Sequence, residues 1–266
     1  MEANDLVLAG ASKYQWHQLQ HWAVSLRKVY SGKTVVILYE ANPTIEAKLA
    51  ELNIEVRRER IRTTVWNQRF EDFSKVIAEG DYRYAVVTDI RDVVFQSDPF
   101  EWLDANLSKP LYAVSEGMRY RDEPWNAKNL KDGYPSLVHR VMDKTIYNVG
   151  VLAGHAANVA DICLAVGIIA KSSGFNVADQ SGYNILLDMQ PYATTTQFGL
   201  SEDGFACQAG TLVDPTKIAA FRPHLLEPEP VLSEHGVTTA SGKLYPVVHQ
   251  YDRVPEWQKH FDRMCK

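Results

Sequence analysis

The chain has 266 residues, 45% hydrophobic, 11% aromatic and 23% charged, with a formal charge of −5 and a pI near 5.9. That is the composition of a folded globular chain long enough for one α/β domain, or a domain with a subdomain, and it argues against membrane, disulfide-scaffold and disordered classes. No run of Lys and Arg offers a counterion-releasing surface for nucleic acid, and the longest apolar stretch, Val159 to Ala170, is broken by Asp161 and too short to span a bilayer.

Asp5 to Ala9 is a short apolar run ending at Gly10 and reads as a first strand. Trp16, Leu19, Ala23, Leu26 and Tyr30 then recur at spacings of three and four, the buried face of a helix that Gly32 closes. Thr34 to Tyr39 is continuously apolar and β-branched, as in a strand covered on both faces. Asn42 followed by Pro43 predicts a helix start, with Ile45, Leu49 and Leu52 turned inward. A strand over Ile54 to Arg60, a helix over Trp66 to Ala78 and a central strand over Tyr84 to Thr88 complete the first hundred residues. Alternating strands and helices predict a mostly parallel sheet with helices on both faces.

The second half is less regular. Strands are expected over Leu111 to Ser115 and Tyr147 to Ala153, and helices over His155 to Lys171, Asp179 to Met189 and Glu256 to Met264. Met118 to Lys144 reads as a long polar stretch, and Pro215 to Pro246 mainly as loop. With no repeat and no clean linker, residues 1–266 read as one domain: a ligand-binding half over 1–100 and an elaborated half over 101–266.

The most informative segment is Tyr84-Ala-Val-Val-Thr-Asp-Ile-Arg-Asp-Val-Val-Phe-Gln-Ser-Asp-Pro-Phe100. A buried strand runs into Asp89 and Asp92 at its C-terminal end, where open parallel sheets bind ligands. Two carboxylates there are costly to desolvate together unless a cation lies between them, and hard divalent ions take such oxygens. Taken alone, the pair also fits a turn or helix cap with Arg91 as its ion-pair partner. Asp98 reads as a cap for the turn at Pro99.

This segment resembles the DxD-type motif of GT-A-fold glycosyltransferases, with the carboxylates spaced as Asp89-Ile-Arg-Asp92. Tyr147-Asn-Val-Gly-Val-Leu-Ala-Gly154 and Ala178-Asp-Gln-Ser-Gly-Tyr-Asn-Ile-Leu-Leu187 follow in the order found in the glycogenin-like retaining group, and Lys243-Leu-Tyr-Pro-Val-Val-His-Gln-Tyr-Asp-Arg253 resembles its C-terminal metal segment. The resemblance implies a GT-A-type fold and transfer of a sugar from a nucleoside diphosphate sugar, UDP-sugars favoured, to an acceptor hydroxyl on a glycan, lipid-linked or small molecule. It implies a divalent metal, Mn²⁺ before Mg²⁺, held by Asp89, Asp92 and His249. Asp179 and Gln180 would handle the donor sugar, and Asn148 and Gly150 would line its site. Arg69, Arg91 and Arg253 would meet the nucleotide or its diphosphate, although a surface role accounts for Arg69 equally and pairing with Asp252 or a neighbouring acid is the simpler explanation of Arg253. Tyr14 would border the base. Glu116, with Asp179 second, is the candidate base should the reaction invert, and Met118 to Tyr134 a candidate acceptor-side lid. His21, His139 and His260 read as structural or solvated.

Two other classes fit carboxylates at a strand end: a metal-dependent nucleotidyltransferase or phosphohydrolase, and a non-catalytic nucleotide-sugar-binding domain. The loop after the first strand is neither GxGxxG nor GxxxxGK[ST], which argues against dehydrogenases and P-loop NTPases. Cys163, Cys207 and Cys265 form no CxxC and the sequence opens without a basic and apolar leader, so a cytoplasmic enzyme, free or peripheral to the membrane, is expected.

Overall fold

The computed structural model describes residues 4–265. The elements β1 (Leu6–Ala11), α1 (Trp16–Val29), β2 (Lys33–Leu38), α2 (Pro43–Glu51), β3 (Glu55–Arg58), α3 (Val65–Ala78) and β4 (Tyr84–Thr88) alternate as the sequence predicts. Boundaries shift by a residue or two. Asn42 caps α2 by accepting from the Ile45 N–H at 3.1 Å, while Tyr30 leaves α1 as an extended C-cap and does not extend its buried face.

Beyond β4 come β5 (Val93–Phe95), α4 (Pro99–Asn106), β6 (Leu111–Arg119), α5 (Pro124–Gly133), α6 (Val138–Val141), β7 (Thr145–His155), α7 (Ala156–Ser172), α8 (Asp179–Leu187) and α9 (Tyr192–Thr195). The chain then forms β8 (Thr196–Gly199), β9 (Ala206–Gln208), α10 (Ala209–Leu212), α11 (Ile218–Phe221), β10 (Val231–Ser233), β11 (Gly236–Thr238), β12 (Val247–His249) and α12 (Pro255–Met264). Asp98 caps α4 as expected, accepting from the Phe100 N–H at 2.8 Å.

Seven strands form the main sheet in the order β3-β2-β1-β4-β7-β6-β8. The sheet is α/β and mostly parallel; β7 runs antiparallel to both β4 and β6. Alternate residues of β1 explain its unbroken apolar sequence. Val7 and Ala9 face the layer of α1 and α2, whereas Leu6 and Leu8 face the layer of α3 and α7. α7 approaches α3 closely because Gly167 presents no side chain: a Cβ there would stand 2.6 Å from Glu71 Cγ.

One expectation for the second half is corrected. Met118 to Lys144 is not simply a long polar stretch, since β6 continues to Arg119 and α5 and α6 follow. Met118, Tyr120, Leu130, Tyr134 and Val141 bury themselves with Ile146 and Ile185 in a separate core. The polar outer positions of α5 mask the buried stripe Ala127, Leu130 and Tyr134. Pro215 to Pro246 is mainly loop, as expected, and carries α11 and a short antiparallel pair, β10 with β11.

A second sheet, in the order β5-β12-β9, ties the end of the chain to the segment after β4. β5 is held from below by Ser25 of α1, whose Oγ accepts from the Phe95 N–H at 3.0 Å. Among the described residues no helix is long and apolar enough to cross a membrane.

Candidate functional site

β1 lies between β2 and β4, so the chain leaves it in one direction along the sheet and later returns on its other side. Loops after the carboxyl ends of two such strands diverge, which opens a crevice. Two adjoining cavities occupy it. One, of about 460 Å³, is lined by the loop after β1, including Ser12, Lys13 and Tyr14, and by Thr63 and Thr64 before α3. The other, of about 400 Å³, contains Asp89, Glu116, Asn148, Asp179, Gln180 and His249. Trp66, Arg69 and Val177 belong to the walls of both.

The second cavity has an acidic end built by strand pairing. The Asp89 N–H donates to Gly150 O at 2.7 Å, fixing the residue just beyond β4 against β7. β12 pairs antiparallel with β5, setting His249 opposite Val93, next to Asp92. On its other edge β12 pairs parallel with β9, setting His249 opposite Gln208. Ligand atoms of Asp89, Asp92 and His249 all lie within 4.8 Å of one another.

The histidine orientation is specific. Its Nδ1 lies 2.8 Å from Gln208 Oε1, and its Nε2, which is buried and has no hydrogen-bond partner, is 3.5 Å from Asp89 Oδ2 and 3.6 Å from Asp92 Oδ1. With Nδ1–H donating to Gln208, the Nε2 lone pair and two carboxylate oxygens converge, and three acceptors require a proton or a cation between them. Gly150 keeps the space clear: a Cβ there would stand 2.7 Å from His249 Cε1 and 2.8 Å from Asp89 Oδ2. Two carboxylates and an imidazole therefore could bind a metal ion.

Charge compensation supports the cluster. Arg69, only 8% exposed, donates from Nη1 to Asp89 and from Nη2 to Asp179 Oδ2 at 3.3 Å, so it bridges two acids. Burial would raise the Asp89 pKa, but the Arg69 guanidinium and then His249 outweigh it and hold the carboxyl well below the usual range. Asp92 is also lowered, because His249 overcomes burial and the repulsion of Asp89. Burial opposes charge on His249, yet the two carboxylates push its pKa up to about 9. Asp179 moves the other way, since burial outweighs the attraction of Arg69 and raises it.

Adjoining this cluster is a cage of amides around Glu116. Its Oε1 accepts from Asn148 Nδ2 at 2.7 Å and Gln180 Nε2 at 2.9 Å, and its Oε2 from Asn126 Nδ2 at 3.2 Å. Burial raises the Glu116 pKa while the Asn148 and Gln180 amides work against it. Gln180 also donates to Asn126 Oδ1 at 2.7 Å, and Asn148 Oδ1 accepts from the Gly150 N–H at 2.7 Å. The amide cage is thereby joined to the acidic end.

Comparison with known protein families and with curated proteins returns no match.

Nearly all the residues singled out from the sequence line one cavity: Arg69, Asp89, Glu116, Asn148, Gly150, Asp179, Gln180, His249 and Arg253. Asp92 joins them through His249. Arg91 is a correction. It lines neither cavity, and its guanidinium is engaged by Asp252 at 2.9 Å and Asp92 at 3.0 Å. Arg69 is not a surface arginine, and Asp179 is not the cap of α8, a position that Ala178 holds. Tyr14 borders the other cavity. His21 pairs with Asp262 at 2.9 Å, His139 is exposed and His260 packs on Phe261. Sequence reading missed Gln208, Trp66 and Lys217, and reached Glu123, Trp125 and Asn126 only as part of the stretch Met118 to Tyr134. No periodicity marks them; Gln208 becomes visible only once β9 is paired with β12.

Proposed function

We propose that this protein is a metal-dependent glycosyltransferase of the GT-A type, moving a sugar from a nucleoside diphosphate sugar to an acceptor hydroxyl with retention. The observation that carries this reading is the convergence of Asp89, Asp92 and an unpartnered His249 Nε2 at the crevice of the sheet. A second cavity of about 460 Å³ adjoins it, within the range of small-molecule sites, and suits a nucleoside. Tyr14 offers that nucleoside an aromatic face, and the shared wall at Trp66 and Arg69 is where a diphosphate would cross from one cavity to the other.

Asp89, Asp92 and His249 would hold the metal, which when bound supplies positive charge against the departing diphosphate. Arg253, at the rim of the same cavity, adds a guanidinium to that task. Asp179 and Gln180 orient the donor sugar, and Arg69 fixes Asp179 relative to Asp89. In the transfer, the bond between the anomeric carbon and the β-phosphate oxygen breaks and its electron pair leaves with the nucleoside diphosphate. The acceptor oxygen bonds to that carbon, and its proton ends on the released diphosphate. The three amides on Glu116 favour an orienting role for this carboxylate over that of a base, which supports retention without a protein base.

The test is a thermal-shift series with UDP, GDP, UDP-glucose and UDP-galactose, with and without Mn²⁺, followed by product analysis. A donor raises the melting temperature only with metal, and the reaction releases a nucleoside diphosphate. Release of pyrophosphate would assign a nucleotidyltransferase instead. Absence of any metal-dependent binding, with Asp89→Ala without effect, would overturn the proposal.

A further inference from the structure

The cavity of about 460 Å³ is walled on one side by Ser12, Lys13 and Tyr14 of the loop after β1, and on another by Ile61, Thr63 and Thr64 of the loop before α3. A loop that must be ordered by its ligand takes the entropy of ordering out of the affinity, whereas a loop held beforehand does not. Both of these loops are held from behind, each by a side chain that lines neither cavity.

Glu40, two residues beyond β2, holds the first. Its Oε1 accepts from Ser12 Oγ at 2.9 Å and its Oε2 from the Lys13 N–H at 3.0 Å. Lys13 stands at φ 59°, a left-handed conformation unfavourable for a residue with a side chain, and one of these two bonds falls on its own N–H. Gln68 of α3, 1% exposed, holds the second loop. Its Oε1 accepts from the Arg62 N–H at 2.6 Å and the Thr63 N–H at 3.2 Å, and its Nε2 donates to Arg60 O at 2.8 Å.

The two braces are joined. Tyr39, next to Glu40 in the chain, donates from its hydroxyl to Asp72 Oδ2 at 3.1 Å, and Gln68 Nε2 donates to the same oxygen at 2.9 Å. The Tyr39 N–H donates to Ala11 O at 3.1 Å, immediately ahead of Ser12. Tyr39, Gln68 and Asp72 are all buried, where water competes little for such bonds. A continuous run of contacts therefore passes from the loop after β1, through Glu40, Tyr39, Asp72 and Gln68, to the loop before α3.

We infer that Glu40 and Gln68 are positioning residues, which fix the separation of the two loops so that a nucleoside enters a slot already formed. This rests on the glycosyltransferase reading and adds to it the residues outside the cavity that set its affinity. The experiment titrates the full chain, with Mn²⁺ present, with UDP and with GDP, and carries forward whichever binds. Glu40→Ala should raise that dissociation constant about tenfold, the scale of lost hydrogen bonds to a charged group. Mn²⁺ affinity without nucleotide should stay within twofold. In turnover the loss should fall on KM for the sugar nucleotide far more than on kcat. Glu40→Gln, which keeps one acceptor oxygen, should lie between wild type and Glu40→Ala. Gln68→Ala should weaken nucleotide binding in the same sense, with circular dichroism checking the fold. Glu40 is only half-buried, so its variants carry the decision if Gln68→Ala fails to fold. A lower melting temperature for Glu40→Ala with the nucleotide dissociation constant within twofold would mean that these bonds serve stability alone, and overturns the inference while the donor reading stands. Failure of the wild-type chain to bind either nucleotide with Mn²⁺ overturns the donor reading, and this inference with it.

Discussion

The two ends of the central cavity each bury carboxylates, and they neutralise them by different means. Asp89 and Asp92 are met by full charges, Arg69, Arg91 and His249, with an unpartnered imidazole nitrogen aimed between them. Glu116 is met by dipoles, the side-chain amides of Asn126, Asn148 and Gln180. Amide dipoles satisfy a buried carboxylate and leave it little capacity for a further ligand. Charges around a gap with three acceptors leave a place for a cation. The amide arrangement fixes geometry, and the charged one could hold a metal.

The difference is most directly broken at Asp89. Asp89→Ala should cut Mn²⁺-dependent UDP release by roughly a hundredfold or more, the scale seen when a charge-stabilising group is removed, and weaken Mn²⁺ binding in a calorimetric titration.

Next in size is the pH dependence of metal binding. An imidazole must lose its proton to bind metal, and the His249 pKa is raised to about 9. Mn²⁺ affinity should therefore rise about tenfold per pH unit between pH 7 and 8.5, with close to one proton released, as measured by calorimetry in buffers of different ionisation enthalpy. Without metal the sign reverses. A raised folded-state pKa stabilises the fold fully below the ordinary histidine pKa of about 6.5, and that contribution is lost as pH rises through about 9. His249→Gln should flatten both dependences.

Gln208→Leu removes the partner of His249 Nδ1 without touching a ligand atom. Loss of such an orienting hydrogen bond commonly costs on the order of tenfold in metal affinity. Circular dichroism should show the fold retained, and an unchanged Mn²⁺ dissociation constant would refute the positioning role.

At the other end, Glu116→Gln turns an acceptor into a donor facing three amides, so the effect should be mainly structural. One unsatisfied buried group costs about 1–3 kcal/mol, and the melting temperature should fall by several degrees with Mn²⁺ affinity unchanged. The smallest effect is expected far from either end. Asp98→Ala deletes the α4 cap for about 1 kcal/mol and should leave UDP release intact.

How much of this could be read from the chain depends on which distances matter. The apolar runs of β1, β2 and β4 and the cap at Asn42 are local, and the first half of the fold follows from them. Asp89 and Asp92 were legible because a buried strand ends in them. His249 was legible only through its resemblance to a known metal segment, since nothing local separates it from His21 or His260. The amide cage was half legible: Glu116, Asn148 and Gln180 stood out singly, but their mutual hydrogen bonds depend on the pairing of β6 with β7, where Ser115 opposes Tyr147. Asn126 was hidden because α5 looks polar in sequence. Arg91 pairs with Asp92, the ion-pair role its place in the sequence also allowed, and with Asp252, which lies far along the chain.

The pairing of β12 with β5 also bears on when the chain becomes competent during synthesis. Asp89 and Asp92 leave the ribosome long before His249, and β1 to β4 can assemble around their own apolar layers in the meantime. Two acids and Arg69 would then be in place without the imidazole, a weak and unselective cation site. Docking of β12 against β5 brings His249 to them, so the three-residue cluster is complete only when the second half of the molecule has emerged and closed over the first.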